Sequence, residues 1–144
     1  MIVPDANLLL YAYDQASPFH DRARAWWEGC LSGREAVGLT YPAMFAFLRI
    51  ATNPRAFASA MTLDEAAEHL NSWLGRRVAQ VLQPPAGHAA DAIALLRSAG
   101  GAAGNLVTDA QIAALAQTYR AVVHTADRDF QRFADVRCFF PLDA

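Results

Sequence analysis

Met1-Ile2-Val3-Pro4-Asp5-Ala6-Asn7-Leu8-Leu9-Leu10-Tyr11-Ala12-Tyr13-Asp14 opens the chain. Ile2 and Val3 read as a short strand buried in a sheet, and Leu8 to Tyr11 read as an apolar helix. Asp5 and Asn7 stand at the join. Burying an unpaired carboxylate costs several kcal/mol, so the end of a buried strand is a poor place for Asp5 on grounds of stability alone. In open α/β sheets, that same place is where ligand sites are built.

Outward from this stretch, short apolar runs alternate with helical ones. Ser17-Pro18-Phe19-His20-Asp21 is a helix-start signal, and Ala23, Trp26, Trp27 and Cys30 follow at helical spacing over His20 to Leu31. Ala36 to Leu39 reads as a second strand. Thr40-Tyr41-Pro42 opens a helix that reaches about Thr52 and stops at Asn53-Pro54. Thr62 with Glu65 is a capping box for a helix to about Leu74. Ala79 to Leu82 is a third strand, closed by Pro84-Pro85, and Gly87 to Ala99 a further helix. After the flexible loop Gly100-Gly101-Ala102-Ala103-Gly104-Asn105, Thr108-Asp109-Ala110-Gln111 reads as another capping box, heading a helix to about Tyr119. Ala121 to His124 is a fourth strand, and Cys138-Phe139-Phe140-Pro141 a fifth. The pattern predicts one α/β domain over residues 1–144, with helices on both faces of a central, mainly parallel sheet of four to five strands.

Composition excludes several classes. Hydrophobic residues at 54% argue for a packed core rather than disorder. No run of eighteen apolar residues predicts a membrane span, and no basic segment precedes the first apolar run, so a cytoplasmic protein is expected. Cys30 and Cys138, far apart, read as free thiols. The net charge of −2 does not announce a nucleic-acid binder. All 12 basic residues are arginine, which removes the Walker loop and the usual lysine of a phospho-acceptor receiver. Asp-Ala-Asn after the first strand is not a glycine-rich dinucleotide turn, and Asn7 stands where an aspartyl-phosphate phosphatase would want a second acid. The four histidines lack metal-ligand spacing, although His124, at a strand end, could approach a site there.

Three acids fall in the same kind of place. Asp5 ends the first strand, Asp127 follows the fourth, and Asp109 sits in the first turn of the helix that leads into the fourth. Alone, Asp109 reads as a first-turn acid favoured by the helix dipole, and Asp127 or Asp129 as a cap of a short helix around Phe130 and Phe133. If strands one and four are neighbours, however, Asp5 and Asp127 meet at a topological switch point. Two carboxylates about 5 Å apart repel by roughly 3 kcal/mol at an effective dielectric of 20. Such a cluster must protonate or hold a cation. Oxygen-only ligands suit Mg²⁺ or Mn²⁺, which support phosphodiester hydrolysis.

Asp5-Ala6-Asn7 after a short strand resembles the opening motif of PIN domains, and Thr125-Ala126-Asp127-Arg128-Asp129-Phe130 resembles their closing motif. Gly104-Asn105-Leu106-Val107-Thr108-Asp109-Ala110-Gln111 is similar to the segment between. Phe47-Leu48-Arg49-Ile50-Ala51-Thr52-Asn53-Pro54 is similar to the helix and turn of one toxin subgroup. Ordered this way, nearly end to end, the motifs resemble a VapC-type toxin of a type II toxin–antitoxin pair. The resemblance implies a PIN-like three-layer α/β/α fold and a Mg²⁺- or Mn²⁺-dependent endoribonuclease. It implies metal-ligating, catalytic acids at Asp5, Asp109 and Asp127, with Asp129 as an additional ligand. Asn7 and Thr125 match small polar positions that orient the acids. A VapB-like antitoxin and a homodimer or toxin–antitoxin hetero-oligomer are the implied partners. Arg49, Arg55 and Arg128, near the acidic edge, are the candidate contacts to RNA. One departure stands out. The glutamate usual on the helix from Ala43 to Thr52 is replaced by Ala46, and Glu35 precedes strand two, at the other end of the sheet. Loss of that acid keeps a second reading open, a PIN fold that binds RNA or a protein without cutting. A third is a phosphohydrolase of small phosphoesters.

Overall fold

The structure is a computed structural model and describes residues 1–101 and 104–143. Strands β1 (Ile2–Pro4), β2 (Val37–Leu39), β3 (Ala79–Val81), β4 (Val122–His124) and β5 (Cys138–Phe139) form one sheet in the order β3-β2-β1-β4-β5, every pair parallel. Both neighbours of β1 therefore come from later in the chain. The strand order runs outward one way through β2 and β3 and the other way through β4 and β5, so the switch point lies between β1 and β4. There Ile2 pairs with Val122 and Pro4 with His124. Proline lacks the N–H that a central strand needs. Pro4 is tolerated because it ends its strand and β2 pairs only at Ile2.

Six α-helices accompany the sheet among the described residues: α1 (Ala6–Tyr13), α2 (His20–Ser32), α3 (Tyr41–Ala51), α4 (Leu63–Leu74), α5 (His88–Ser98) and α6 (Leu106–Thr118). Successive strand residues point to opposite faces, and the core divides accordingly. Ile2, Val37 and Leu39 pack with Leu8, Leu9, Trp27, Phe47 and Trp73 of α1 to α4. Val3 and Val123 pack with Leu95, Ile112, Leu115 and Phe130 on the side of α5 and α6. Trp73 sits 4.8 Å from Phe47 and 5.5 Å from Trp27 between ring centroids, and its N–H donates to the Tyr13 hydroxyl at 2.7 Å. Gly38 lies where a Cβ would come within 2.7 Å of the Leu82 side chain, so any larger residue there would force Leu82 to shift within the core.

Local signals explain most boundaries. The Thr40 hydroxyl accepts from the Ala43 amide at 3.2 Å and Pro42 occupies the first turn of α3. The Thr62 hydroxyl accepts from the Glu65 amide at 3.1 Å at the start of α4. The cap expected at Thr108 is not formed. Helix α6 starts three residues earlier, at Leu106, behind Asn105 and with no side-chain cap. Starting there buries Leu106 with Ala110 and Ile112. That burial is worth about 1.5–3 kcal/mol, against ~1 for a cap. Helix α6 is buried almost all round and uses alanine at positions 110, 113, 114 and 116 to let its neighbours approach. Ser17 caps nothing either; its hydroxyl accepts from the Phe19 amide in the turn before α2. Of the glycine-rich loop, Ala102 and Ala103 lie outside the described residues. Both cysteines are free thiols, and no helix among the described residues is long and apolar enough to cross a membrane.

Candidate active site

The end of β1 delivers Asp5 to the switch point. Its amide donates to the His124 carbonyl at 2.9 Å, which fixes the backbone against β4. Its carboxylate accepts from the Thr125 hydroxyl at 2.8 Å, and the same hydroxyl oxygen accepts from the Asp127 amide at 2.9 Å. One fully buried threonine thus holds two acids on adjacent strands. The Asp127 carboxylate in turn accepts from the Asp129 amide at 2.8 Å and caps a 3-10 turn over Arg128–Arg132. Asp109 arrives from the first turn of α6. Asp5 and Asp109 are only 4% and 7% exposed. Asp5, Asp109 and Asp127 line one narrow cleft of about 70 Å³, with Asn7, Ala46, Arg49, Asn105 and Thr108 among its walls.

Burial pushes the Asp5 carboxyl up to about 6; the Thr125 hydroxyl and the Ala6 amide pull against it, and the charge of Asp127 adds to the rise. Asp109 is pushed up to about 7, first by burial and then by the charges of Asp5, Asp127 and Asp129. Mutual repulsion of the acids is therefore a feature of this cleft, as the spacing of the motifs suggested.

The remaining expected residues divide. Arg49 lines the cleft. Asn7 does too, but its side-chain amide makes no hydrogen bond to the acids among the described residues; only its main-chain N–H favours the charged form of Asp5. Asp129 stays outside the cleft lining, 4.0 Å from Arg132, and acts on Asp109 through its charge. Arg55 is exposed in the turn after α3, away from that lining. Arg128 faces the C-terminal tail, paired with both carboxylate oxygens of Asp143 at 2.9 and 2.7 Å and lying 3.8 Å above the Phe140 ring. His124 turns away from the acids. Its Nδ1 accepts from the Trp26 indole at 3.1 Å, and burial pushes its pKa down to about 4. Glu35 binds the Met1 amine at 3.0 Å, at the opposite end of β1. Ala46 is a cleft wall, so α3 brings no acid from that position. Thr108, read as a cap, is a wall residue instead, a role visible only once α6 is placed.

A larger pocket of about 360 Å³, bounded by Tyr13, His20, Arg24, Trp27, Glu28 and His69, contains none of these acids. Size alone does not mark the chemistry here. Among the described residues, no three His, Cys, Asp or Glu side chains are gathered closely enough to form a ready ligand set for a metal ion. In donor chemistry the cleft still fits a hard divalent cation: its ligands are carboxylate oxygens, and their charges raise the proton affinity of Asp109.

The PIN domain family profile matches residues 2–136. Ribonuclease VapC33 of Mycobacterium tuberculosis is 43% identical over 142 residues, covering 99% of each chain. Ribonuclease VapC37 of the same organism is 37% identical over 137 residues, covering 95% of this chain and 94% of the relative. In three dimensions, VapBC2 from Rickettsia felis bound to a DNA fragment from their promoter superposes with a TM-score of 0.69 at 17% identity, over 96% of this chain and 98% of the other. Sequence and fold agree that the chain belongs to the PIN-domain family, alongside its VapC members.

Proposed function

We propose that the protein is an endoribonuclease toxin of the VapC type that cleaves RNA phosphodiesters with the help of Mg²⁺ or Mn²⁺ and is neutralised by a cognate antitoxin. The observation that carries this reading is the meeting of Asp5, Asp109 and Asp127 in one cleft at the switch point. Support comes from relatives named ribonucleases at up to 43% identity over nearly the whole chain. Likeness to the VapBC2 complex of Rickettsia felis supports an antitoxin partner. Asp5, Asp109 and Asp127 would hold the cation. When bound, it supplies Lewis-acid polarisation of the phosphodiester and the charge that makes water a competent nucleophile. Thr125 keeps Asp5 and Asp127 facing the same space. Arg49, exposed on the cleft wall, supplies positive charge for the flanking phosphate.

The test is cleavage of structured and unstructured RNAs with Mn²⁺ or with EDTA. The expected result is metal-dependent cutting that Asp5→Asn and Asp109→Asn abolish while both variants keep the wild-type circular dichroism. Equal cutting by these variants would overturn the reading.

Two observations favour a second reading, a PIN fold that binds RNA without cutting. Ala46 replaces the acid usual on α3, and no three acids are tightly gathered among the described residues. That reading predicts RNA binding with no cleavage in either Mg²⁺ or Mn²⁺.

A further inference from the structure

A second cleft, of about 360 Å³, adjoins the acidic one. Pro42, Phe45, Ala46, Arg49, Thr108 and Gln111 line it, and Ala46, Arg49 and Thr108 are walls of both. The two clefts thus share one wall from α3 and one from α6. Phe45 is 60% exposed and Tyr41 42%. Their rings lie one helical turn apart on α3, stacked with planes 16° apart and centroids at 6.3 Å. The Gln83 amide donates to the Tyr41 hydroxyl at 3.4 Å. Phe45 and Arg49 are four residues apart, so ring and guanidinium are neighbours on the same helix face. On the opposite wall, the Gln111 amide uses one N–H on the Val107 carbonyl at 3.4 Å, its carbonyl oxygen takes no hydrogen bond among the described residues, and Thr108 lines the cleft beside it.

We infer that Phe45, backed by Tyr41, is a stacking platform for an unpaired base next to the scissile phosphate, with Thr108 and Gln111 positioned to read that base's edge. The inference rests on the ribonuclease reading above and adds to it the residues of this chain that would hold the base beside the cut. A flat aromatic face, an adjacent cation and an acidic cleft match, in that order, the base, phosphate and reacting centre of one strand. Aromatic stacking is the sequence-tolerant way to hold an unstacked base. A rigid duplex keeps its bases stacked inside and cannot offer one to Phe45. An apolar contact between copies of the chain would gain nothing from the guanidinium between the rings and the acids.

The test uses a fluorescein-labelled single-stranded RNA oligonucleotide in Mg²⁺, bound by the Asp5→Asn protein with Phe45 intact or changed to Leu or Trp. Leucine keeps an apolar side chain but loses the π-face. The expected result is a Kd raised about tenfold or more by Phe45→Leu and retained by Phe45→Trp. In the cleaving protein, Phe45→Leu raises KM more than it lowers kcat. An oligonucleotide with abasic sites across the binding region should bind the two proteins alike. An unchanged Kd in Phe45→Leu, with wild-type cleavage intact, overturns the platform and leaves the ribonuclease reading standing. Wild-type protein that neither binds nor cuts RNA overturns both. A change in mass by light scattering in Phe45→Leu, with an unchanged RNA Kd, makes this face a contact between copies and also overturns the platform.

Discussion

Thr125 does with one hydroxyl what the site most needs. It donates to Asp5 and accepts from the Asp127 amide, both below 3 Å, so its loss leaves a buried carboxylate short of a donor. Hydrogen bonds to charged groups are worth about 1.5–3 kcal/mol. Thr125→Ala is expected to lower stability by an amount in that range in urea unfolding and to cut the rate of RNA cleavage at least tenfold. Thr125→Ser should restore most of both. Asp5→Asn should behave differently: cleavage is lost while stability holds or rises, because the change removes a buried charge rather than a partner. His124 makes a further residue-scale prediction. Its Nδ1 must be unprotonated to accept from Trp26, and its folded pKa of about 4 lies below the ordinary 6.5. The unfolded chain therefore binds the extra proton between those values. The stability from neutral His124 is complete above about pH 6.5 and is lost as the pH falls toward 4. Glu35 and the N-terminal amine also act on it, in opposite directions. In urea unfolding at pH 4.5 and pH 7.5, His124→Gln should flatten the part of the acid-side loss that wild type shows.

Among the elements, β2 has little room to spare. A side chain at Gly38 would meet Leu82 within 2.7 Å. Overpacking a filled core typically costs about 1–3 kcal/mol, and Gly38→Val is expected to lower the Tm accordingly. Thr40→Ala removes the cap of α3 and should cost ~1 kcal/mol by the same measurement. These elements were readable because their signals are local: apolar runs for the strands, Thr40-Tyr41-Pro42 and Thr62 with Glu65 for two helix starts. The start of α6 was not, because the burial of Leu106 in the core is a tertiary gain that overrides the Thr108 signal. The site divides along the same line. Asp5, Asp109 and Asp127 could be placed from motif order and strand adjacency. The commitment of Arg128 to Asp143 and Phe140 depends on where the tail folds back. The Asn7 side chain depends on an orientation that adjacency in sequence does not specify. The exposure of Phe45 is decided by what α6 leaves uncovered, which the sequence of α3 alone does not specify.

At the scale of the whole molecule, the acid cleft sets how stability follows pH. Asp5 and Asp109 bind protons more tightly when folded, at about 6 and 7 against an ordinary 3.8. The sign is opposite to that of His124: their contribution is fully favourable below about pH 4 and is lost as the pH rises through 7. In EDTA, Asp109→Asn should therefore raise the Tm at pH 8 and change it little at pH 4. Mg²⁺ or Mn²⁺ should raise the Tm of the wild type at pH 8 and leave that of Asp109→Asn nearly unmoved. A metal-induced shift of equal size in both proteins would argue against Asp109 as a ligand. The strand order has a consequence for how the protein is made. β1 is the first strand to be synthesised and the central one in the sheet, yet its pairing with β4 waits for residues 122–124. Such long-range parallel pairing is slow and comes late. Asp5 can meet Asp127 only after nearly all of the 144 residues exist. A ribosome that stalls before residue 127 releases a fragment with no assembled acid cleft, so the ribonuclease activity proposed above cannot precede the synthesis of β4 and the residues just after it.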